Sequence, residues 1–195
     1  MTTALTTPPC TAFLIDVPRY QRMIDLGVIA EDERIELIRG QLVFKMPQGD
    51  RHGVAIERID RWLQRRLPDE IAVRCQCPIV ATATSQPEPD IVLCRPANIR
   101  GRHHPIPADI FLIIEVAETS LRDDRTSKAP LFAEARIPNY WIVNLESSTI
   151  EVDSAPVGTV YSHRVDYEIG QSVVLTIGDF QLAVPVDAFA GEPVP

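Results

Sequence analysis

The sequence predicts an α/β fold, in which strands buried on both faces are combined with amphipathic helices. Residues 110–114 form an uninterrupted apolar run, which is typical of a strand covered on both faces. Residues 51–67 place apolar side chains on one arc at helical spacing. A second amphipathic stretch ends at Ala135 and leads into the apolar run at 140–143, which predicts another buried strand.

The composition fits one domain, which we expect over residues 18–190 after a flexible N-terminal segment, residues 1–17. The 195 residues are 45% hydrophobic and 24% charged, ordinary values for a globular protein. The formal net charge of −8 argues against general polyanion binding, because nonspecific nucleic-acid affinity comes mainly from phosphate neutralisation. No apolar run approaches the roughly 20 residues that span a bilayer, so no membrane association is expected.

The four cysteines predict free thiols rather than a metal site or disulfides. They are Cys10, Cys75, Cys77 and Cys94. The Cys-x-Cys pair would point both thiols to one face of a strand, but no further Cys or His pair stands at zinc-finger spacing. Buried thiols in a reducing compartment are therefore expected, in agreement with a cytoplasmic location.

The first half of the chain is predicted to run helix, hairpin, helix and three short strands. A helix is expected from Arg19, with Pro18 at its start, followed by strands at 35–38 and 42–45 that turn at Gly40. The helix at 51–67 precedes strands at 71–75, 79–83 and 91–94. The loop at 95–107 carries His103 and His104, which we expect to be surface residues rather than metal ligands.

The second half is predicted to continue from the strand at 110–114 into a polar turn at 118–125. Because Pro130 cannot donate a backbone hydrogen bond, we expect the next helix to begin late, with Ser127 as N-cap and Pro130 in its first turn. Further strands are expected at 138–143, 150–152, 160–161, 173–177 and 182–184.

Basic side chains form a stripe along the predicted helix at 51–67. Its members are Arg51, Arg58, Arg61 and Arg65, which fall close together at 100° per residue. With Trp62 beside it for base stacking, the stripe could hold a phosphate backbone. The alternative is a solvated helix face paired with neighbouring acids such as Glu57 and Asp60.

Two carboxylates and one lysine stand at positions where a divalent cation and a phosphate could bind. Asp90 opens the predicted strand at 91–94, and Glu115 follows the apolar run at 110–114. An ionised carboxylate there is costly unless something compensates it, and Lys128 lies thirteen residues further on. The alternative is that Asp90 is an ordinary turn residue and that Glu115 meets only water.

An ordered set of short motifs resembles the Uma-type family of restriction endonucleases, a branch of the PD-(D/E)XK nuclease superfamily. The motifs are Glu36-Leu-Ile-Arg-Gly40, Met46-Pro47, His52, Pro89-Asp90, Ile114-Glu115-Val116, Ser120, Asp124-Arg125 with Lys128, and Pro138-Asn-Tyr-Trp-Ile-Val143. The resemblance covers about residues 18–185. It implies a restriction-endonuclease-like fold, with a central mixed β-sheet flanked by helices and an active site at the edge of the sheet.

The resemblance also implies roles for three of these residues. Asp90 corresponds to the aspartate of the motif, and Glu115 corresponds to its acidic partner. The usual lysine lies two residues after that acid, where this chain has Ala117. Lys128, on the following helix, takes its place in the Uma-type pattern, and it would orient a water molecule or neutralise charge on the phosphate.

Two further site residues follow from the resemblance, together with a metal. Glu36 would be an additional acid, and His52 a further polar residue near the site. Mg²⁺ or Mn²⁺ prefers oxygen ligands and retains several waters. Asp90, Glu115 and the carbonyl of Val116 are therefore expected to hold the cation, with Glu36 acting directly or through water.

The resulting hypothesis is a divalent-metal-dependent endonuclease that hydrolyses phosphodiester bonds in DNA. A homodimer is expected, since cutting both strands suits two sites. A catalytically silent binding or scaffold module with the same fold is the alternative from a different class. Hydrolysis of another phosphodiester, such as RNA, is a third interpretation.

Overall fold

The centre of the protein is a six-stranded mixed β-sheet, seen in a computed structural model that describes residues 12–30, 32–45, 49–96 and 104–191. Most of the predicted flexible segment, Cys10, the Met46-Pro47 pair and His103 lie outside these residues. The strands are β1 (Ile35–Ile38), β2 (Gln41–Phe44), β3 (Ala72–Cys75), β4 (Ile91–Cys94), β5 (Ile110–Ala117), β6 (Asn139–Asn144), β7 (Thr149–Val157), β8 (Val160–Glu168), β9 (Ser172–Ile177) and β10 (Phe180–Pro185).

Helices lie on both faces of this sheet. They are α1 (Val17–Asp25), α2 (Asp50–Gln64), α3 (Leu121–Asp123), α4 (Ala129–Glu134) and α5 (Val186–Ala190). A π-helical turn, Asp124–Lys128, joins α3 to α4, and a short 3₁₀ helix, Pro107–Asp109, precedes β5. No helix in the described ranges is long and apolar enough to cross a membrane.

The central sheet has the order β3-β4-β5-β6-β7-β8. β5 and β6 pair in parallel, and the other neighbours pair antiparallel. Two separate hairpins, β1–β2 and β9–β10, lie outside it. The predicted central mixed sheet flanked by helices is confirmed.

Alternation along β5 divides its side chains between two cores. Leu112, Ile114 and Val116 pack with residues of α2 and α5, whereas Ile113 and Ala117 pack with residues of α4. Because side chains alternate along a strand, Glu115 shares the α4 face with Ile113 and Ala117. The acid therefore lies under the helical segment that carries Lys128.

The β1–β2 hairpin agrees with the prediction for Gly40. This glycine has φ +77°, and a Cβ added there would lie 2.6 Å from the Cβ of Leu14. Only glycine therefore fits the turn without movement of the neighbouring chain. The hairpin places Glu36 opposite Val43, so that both side chains lie on one face.

Two strand predictions need correction. Residues 79–83 do not form a regular strand, because the N–H groups of Ile79 and Val80 bond to the carbonyls of Pro87 and Pro105 in loops. β5 extends to Ala117, so Glu115 lies within the strand rather than after it.

The predicted start of the helix at Ser127 is also wrong. The helical segment already begins at Leu121, and its π turn closes when Ala129 N–H donates to the carbonyl of Asp124. Pro130 consequently falls in the first turn of α4, where a missing N–H costs little. The wide turn thus accommodates the proline without ending the helix.

The described cysteines are free thiols, as predicted. Cys94 is fully buried, while Cys75 and Cys77 are partly buried.

Candidate active site

Asp90 and Glu115 lie side by side where β4 begins and β5 ends. Asp90 Oδ2 accepts a hydrogen bond from Val116 N–H at 2.9 Å. The N–H of Asp90 donates to Glu115 Oε2 at 3.4 Å. The two residues are only 3% and 2% exposed. The site therefore occupies the ends of two central strands, rather than an outer strand of the sheet.

Lys128 reaches this pair from the π turn above the same sheet face. Its Nζ lies 3.1 Å from Glu115 Oε1 and 3.1 Å from Asp124 Oδ1. Asp124 is fully buried, and its Oδ2 accepts a hydrogen bond from Ser120 Oγ at 2.6 Å. The sequence predictions gave Asp124 no role, although its spacing of four residues from Lys128 is the spacing of helical ion pairs.

The charges of the cluster act on one another, because they are buried close together. Burial raises the pKa of Glu115 well above its usual value; Lys128 opposes this effect, and Asp90 adds to it. Burial likewise raises the pKa of Asp124. Burial alone would lower the pKa of Lys128, but the surrounding carboxylates, first among them Glu115, raise it. Lys128 is thus held as a cation among acids.

His52 supports Asp90 from the first turns of α2. Since an ionised carboxylate only accepts hydrogen bonds, His52 Nε2 donates to Asp90 Oδ2 across 3.0 Å. Burial would raise the pKa of Asp90, but the hydrogen bond and charge of His52 outweigh it and leave the pKa below its usual value. In the described part of the chain, His52 Nδ1 is buried without a hydrogen-bond partner.

Glu36 lies beside the same cleft, next to a lysine that the sequence predictions did not select. Glu36 Oε1 accepts a hydrogen bond from Glu88 N–H at 2.9 Å. Lys45 Nζ lies 3.9 Å from this oxygen. Burial raises the pKa of Glu36, while Lys128 and Lys45 lower it. Both ammonium groups therefore favour the charged form of Glu36.

A cleft of about 630 Å³ opens beside this cluster, and Glu115 and Asp124 lie behind the residues that line it. Its lining includes Glu36, Lys45, His52, Asp90, Lys128 and Leu131. The structure thus brings together Asp90, Glu115, Lys128, Glu36 and His52, which the sequence analysis selected for catalysis.

The predicted arginine stripe does not border this cleft. Arg51 Nη2 donates to the carbonyl of Leu145 at 2.7 Å, and Arg58 donates to the carbonyls of Phe189 and Gly191. Burial lowers the pKa of Arg58. None of the four arginines, Arg51, Arg58, Arg61 and Arg65, is among the residues that line the cleft.

Trp62 is also engaged within the fold. Its ring contacts Phe189 edge-on, with centroids 5.4 Å apart, and Arg66 lies 4.3 Å above its centroid. Arg61, in the last turn of α2, and Arg65, directly after the helix, are exposed. Nucleic-acid binding by the stripe stays a prediction, but it would take place away from the acidic cluster.

The donor set fits a hard cation that keeps much of its water. Among the described residues, no group of three His, Cys, Asp or Glu side chains is arranged to hold a metal by itself. Glu115 Oε1 is nevertheless buried without an aligned hydrogen bond, having only its ion pair with Lys128. Mg²⁺ commonly takes one or two carboxylates and completes its shell with water and phosphate. Asp90 and Glu115 meet that requirement.

Val116 offers a third oxygen on the same side. In an extended strand, the N–H and C=O of one residue point in the same direction. Since Val116 N–H points to Asp90, its carbonyl faces the side on which Asp90 lies.

Comparison with known proteins matched the chain to a family profile and to solved structures of similar fold. The family profile described as Uma2, putative restriction endonuclease, matches residues 17–185. The solved structure of a putative nuclease belonging to DUF820 from Anabaena variabilis is 15% identical, with a TM-score of 0.64 over 80% of this chain and 90% of that chain. At this identity the likeness establishes the fold alone. None of the functionally curated proteins matches the chain.

Proposed function

The chain belongs to the Uma2 family, described as putative restriction endonucleases, and from this premise we propose that it is a divalent-metal-dependent nuclease acting on DNA. The observation that carries the proposal is the meeting of Asp90, Glu115 and Lys128 in one buried cluster, beside a cleft that Asp90 and Lys128 line. Two carboxylates with a fixed ammonium suit hydrolysis of a phosphodiester.

Asp90, Glu115 and the carbonyl of Val116 would hold Mg²⁺ or Mn²⁺, with Glu36 contributing directly or through water. When bound, such a cation polarises the phosphate and lowers the pKa of water. His52 and Val116 N–H both donate to Asp90 Oδ2, which fixes the orientation of this carboxylate.

Lys128 has the role of the motif lysine. Its ammonium carries three donors, and it lies 3.1 Å from Glu115 Oε1. From there it would donate to a phosphoryl oxygen or orient the attacking water. If Glu115 binds the metal, the carboxylate of Asp124 still lies beside the ammonium of Lys128.

A catalytically silent binding module is the rival function, and one contact favours it. Lys128 lies against Glu115 Oε1, an oxygen that a metal ligand would have to present. If Lys128 serves only to neutralise Glu115, Mn²⁺ should not raise the melting temperature of the protein. The two functions therefore differ in how the protein responds to metal.

The test measures cleavage and metal binding together. Plasmid, duplex and single-stranded oligonucleotides, in DNA and RNA, are incubated with Mg²⁺, Mn²⁺ or chelator, and melting is followed with and without Mn²⁺. We expect metal-dependent DNA cleavage that is lost in Asp90→Asn and Lys128→Met, and a rise in melting temperature with Mn²⁺. Asp179→Asn, at an exposed turn, is the control.

No cleavage and no Mn²⁺ effect would overturn the nuclease proposal in favour of the binding module. If RNA is cleaved while DNA stays intact, the nuclease proposal is retained and only its substrate changes.

We further propose that the protein is a homodimer, which sedimentation analysis tests directly.

A further inference from the structure

Both lysines of this chain lie in the candidate active site. Of 19 basic residues other than histidine, only Lys45 and Lys128 are lysines, and the remaining 17 are arginines. Their side chains are 10% and 19% exposed, although lysine is normally a surface residue. Lys128 already has a role by its place in the motif. Lys45 has none.

Lys45 is held at the cleft by its backbone. It directly follows β2, and its N–H donates to the carbonyl of Arg34 at 2.8 Å. Its side chain runs past Glu36, and its Nζ donates to the carbonyl of Glu88 at 2.8 Å. Glu88 stands two residues before Asp90, so the ammonium lies beside the segment that carries the metal ligand.

The hydrogen-bonding capacity of Lys45 is largely unused. An ammonium has three donors. Among the described residues, Glu88 O accepts one of them. The carboxylates of Glu88 and Glu36 lie 3.7 and 3.9 Å away, which is beyond normal hydrogen-bond distance. Since Lys45 lines the cleft, its other donors can serve a ligand there.

The charges of the cleft indicate which ligand that is. Four buried carboxylates surround the two lysines: Glu36, Asp90, Glu115 and Asp124. A polyanionic strand entering this cleft meets repulsion unless each phosphate finds a cation. Lys128 is fixed by Glu115 and Asp124 beside the proposed metal ligands, where it would meet the phosphate that is cleaved, which leaves Lys45 for a different phosphate.

We propose that Lys45 is a substrate-binding residue that donates to a non-bridging oxygen of a second phosphate of the strand, while Lys128 serves the phosphate that is cleaved. The inference rests on the proposed nuclease function and adds a contact to it. It assigns Lys45 to binding, so its loss should act on affinity more than on turnover.

The first experiment measures oligothymidylate binding by fluorescence anisotropy with Ca²⁺ across a range of NaCl concentrations. Lys45→Gln should weaken binding about tenfold and reduce the slope of log K against log salt by about 0.7, the value for one phosphate contact on a single strand. Lys45→Arg should restore part of the affinity. Arg39→Gln, which removes a cation paired with Glu134 on the surface, should change neither quantity.

The second experiment observes the lysines directly in the wild-type protein. With ¹⁵N-lysine labelling, only two side-chain ammonium signals are expected, and Lys45→Arg assigns them. Titration with oligothymidylate or inorganic phosphate should move the Lys45 signal. This measurement does not depend on cleavage or on the folding of a neutral variant.

An unchanged salt slope in Lys45→Gln, or an unmoved Lys45 signal, would overturn the inference. If Lys45 only anchors Glu88, the variant should melt earlier but keep the wild-type slope. A wild-type protein that never cleaves with Mg²⁺ or Mn²⁺, yet shows the Lys45 shift, would refute the nuclease and retain the phosphate contact. Normal cleavage, with neither a changed salt slope in Lys45→Gln nor a shifted Lys45 signal, would retain the nuclease and refute the phosphate contact.

Discussion

Replacing Glu115 by glutamine should leave the metal-free protein at least as stable as wild type, while removing most of the metal-induced stabilisation and abolishing cleavage. Glu115 is 2% exposed and shares its pocket with Asp90 and Asp124. Burial raises the pKa of Glu115 well above its usual value, which means that its charged form is costly at neutral pH. A neutral amide of the same shape removes that cost.

Two losses limit the gain. The amide has one oxygen, so if it faces Lys128 its NH₂ group faces the N–H of Asp90. The ion pair with Lys128 is also weakened, although Asp124 remains as a partner 3.1 Å away. We expect a net change between zero and about 1 kcal/mol of stabilisation, which corresponds to at most about 2–4 °C for a chain of this size.

The stabilisation of the native state by bound metal should change much more. A cation at 100 times its dissociation constant stabilises the native state by about 2.7 kcal/mol, or about 5–10 °C here. If loss of the Glu115 charge weakens the cation about 100-fold, the same concentration yields only about 0.4 kcal/mol. The variant should therefore keep its basal melting temperature and lose most of the shift.

Differential scanning fluorimetry of Glu115→Gln, with and without Mn²⁺, measures both quantities. Asp179→Asn is the control for removal of an exposed carboxylate. A basal melting temperature several degrees below wild type would show that Glu115 is a structural partner of Lys128. An undiminished Mn²⁺ shift would show that Glu115 does not bind the metal.

Three further outcomes follow from other contacts in the structure. Asp124→Asn should slow cleavage at least tenfold, since Asp124 orients Lys128, and it should add nothing to Lys128→Met; additive losses would contradict this. Arg58→Ala should lower the free energy of unfolding in urea by about 1–3 kcal/mol, because two backbone carbonyls lose their donor. Arg61→Ala, at an exposed position, should change this free energy by less than about 0.5 kcal/mol, and equal effects of the two variants would argue against a structural role for Arg58. Burial raises the pKa of Cys94 to about 11, so its thiol stays neutral at pH 8. It should therefore resist iodoacetamide in the folded protein and react once urea unfolds the chain, as measured by mass spectrometry. Equal labelling of the folded and unfolded protein would contradict this.

The pattern of apolar residues was sufficient to predict the elements at the centre of the fold. The apolar run at 110–114 can only be a buried element, and its short length favours a strand, which the structure extends to Ala117. The helix predicted at 51–67 is found at Asp50–Gln64 for the same reason, since its apolar arc faces a core. Ends shift by a few residues because caps and frayed turns depend on neighbours.

Features that depend on distant partners could not be read from the sequence. Arg58 was placed on a nucleic-acid-binding face by its helical spacing, but the carbonyls that hold it lie more than 130 residues further along the chain. Residues 79–83 have the composition of a strand, yet their backbone donors bond to loops. Lys45 left no motif, although a count of lysines would have singled it out.

The π turn at Asp124–Lys128 determines what shortening this segment would cost. Such a turn holds one residue more than an α-helical turn of the same rise. Ser120 and Asp124 lie before the extra residue, while Leu131 and Phe132 point into the core after it. A one-residue deletion within the turn would convert it into an α-helical turn and leave its two flanks in their present orientation. Chains shortened by one residue in this turn should therefore keep both the core contacts and the carboxylate beside the lysine. Pro130 would then lie inside a continuous α-helix, where a proline costs about 3 kcal/mol.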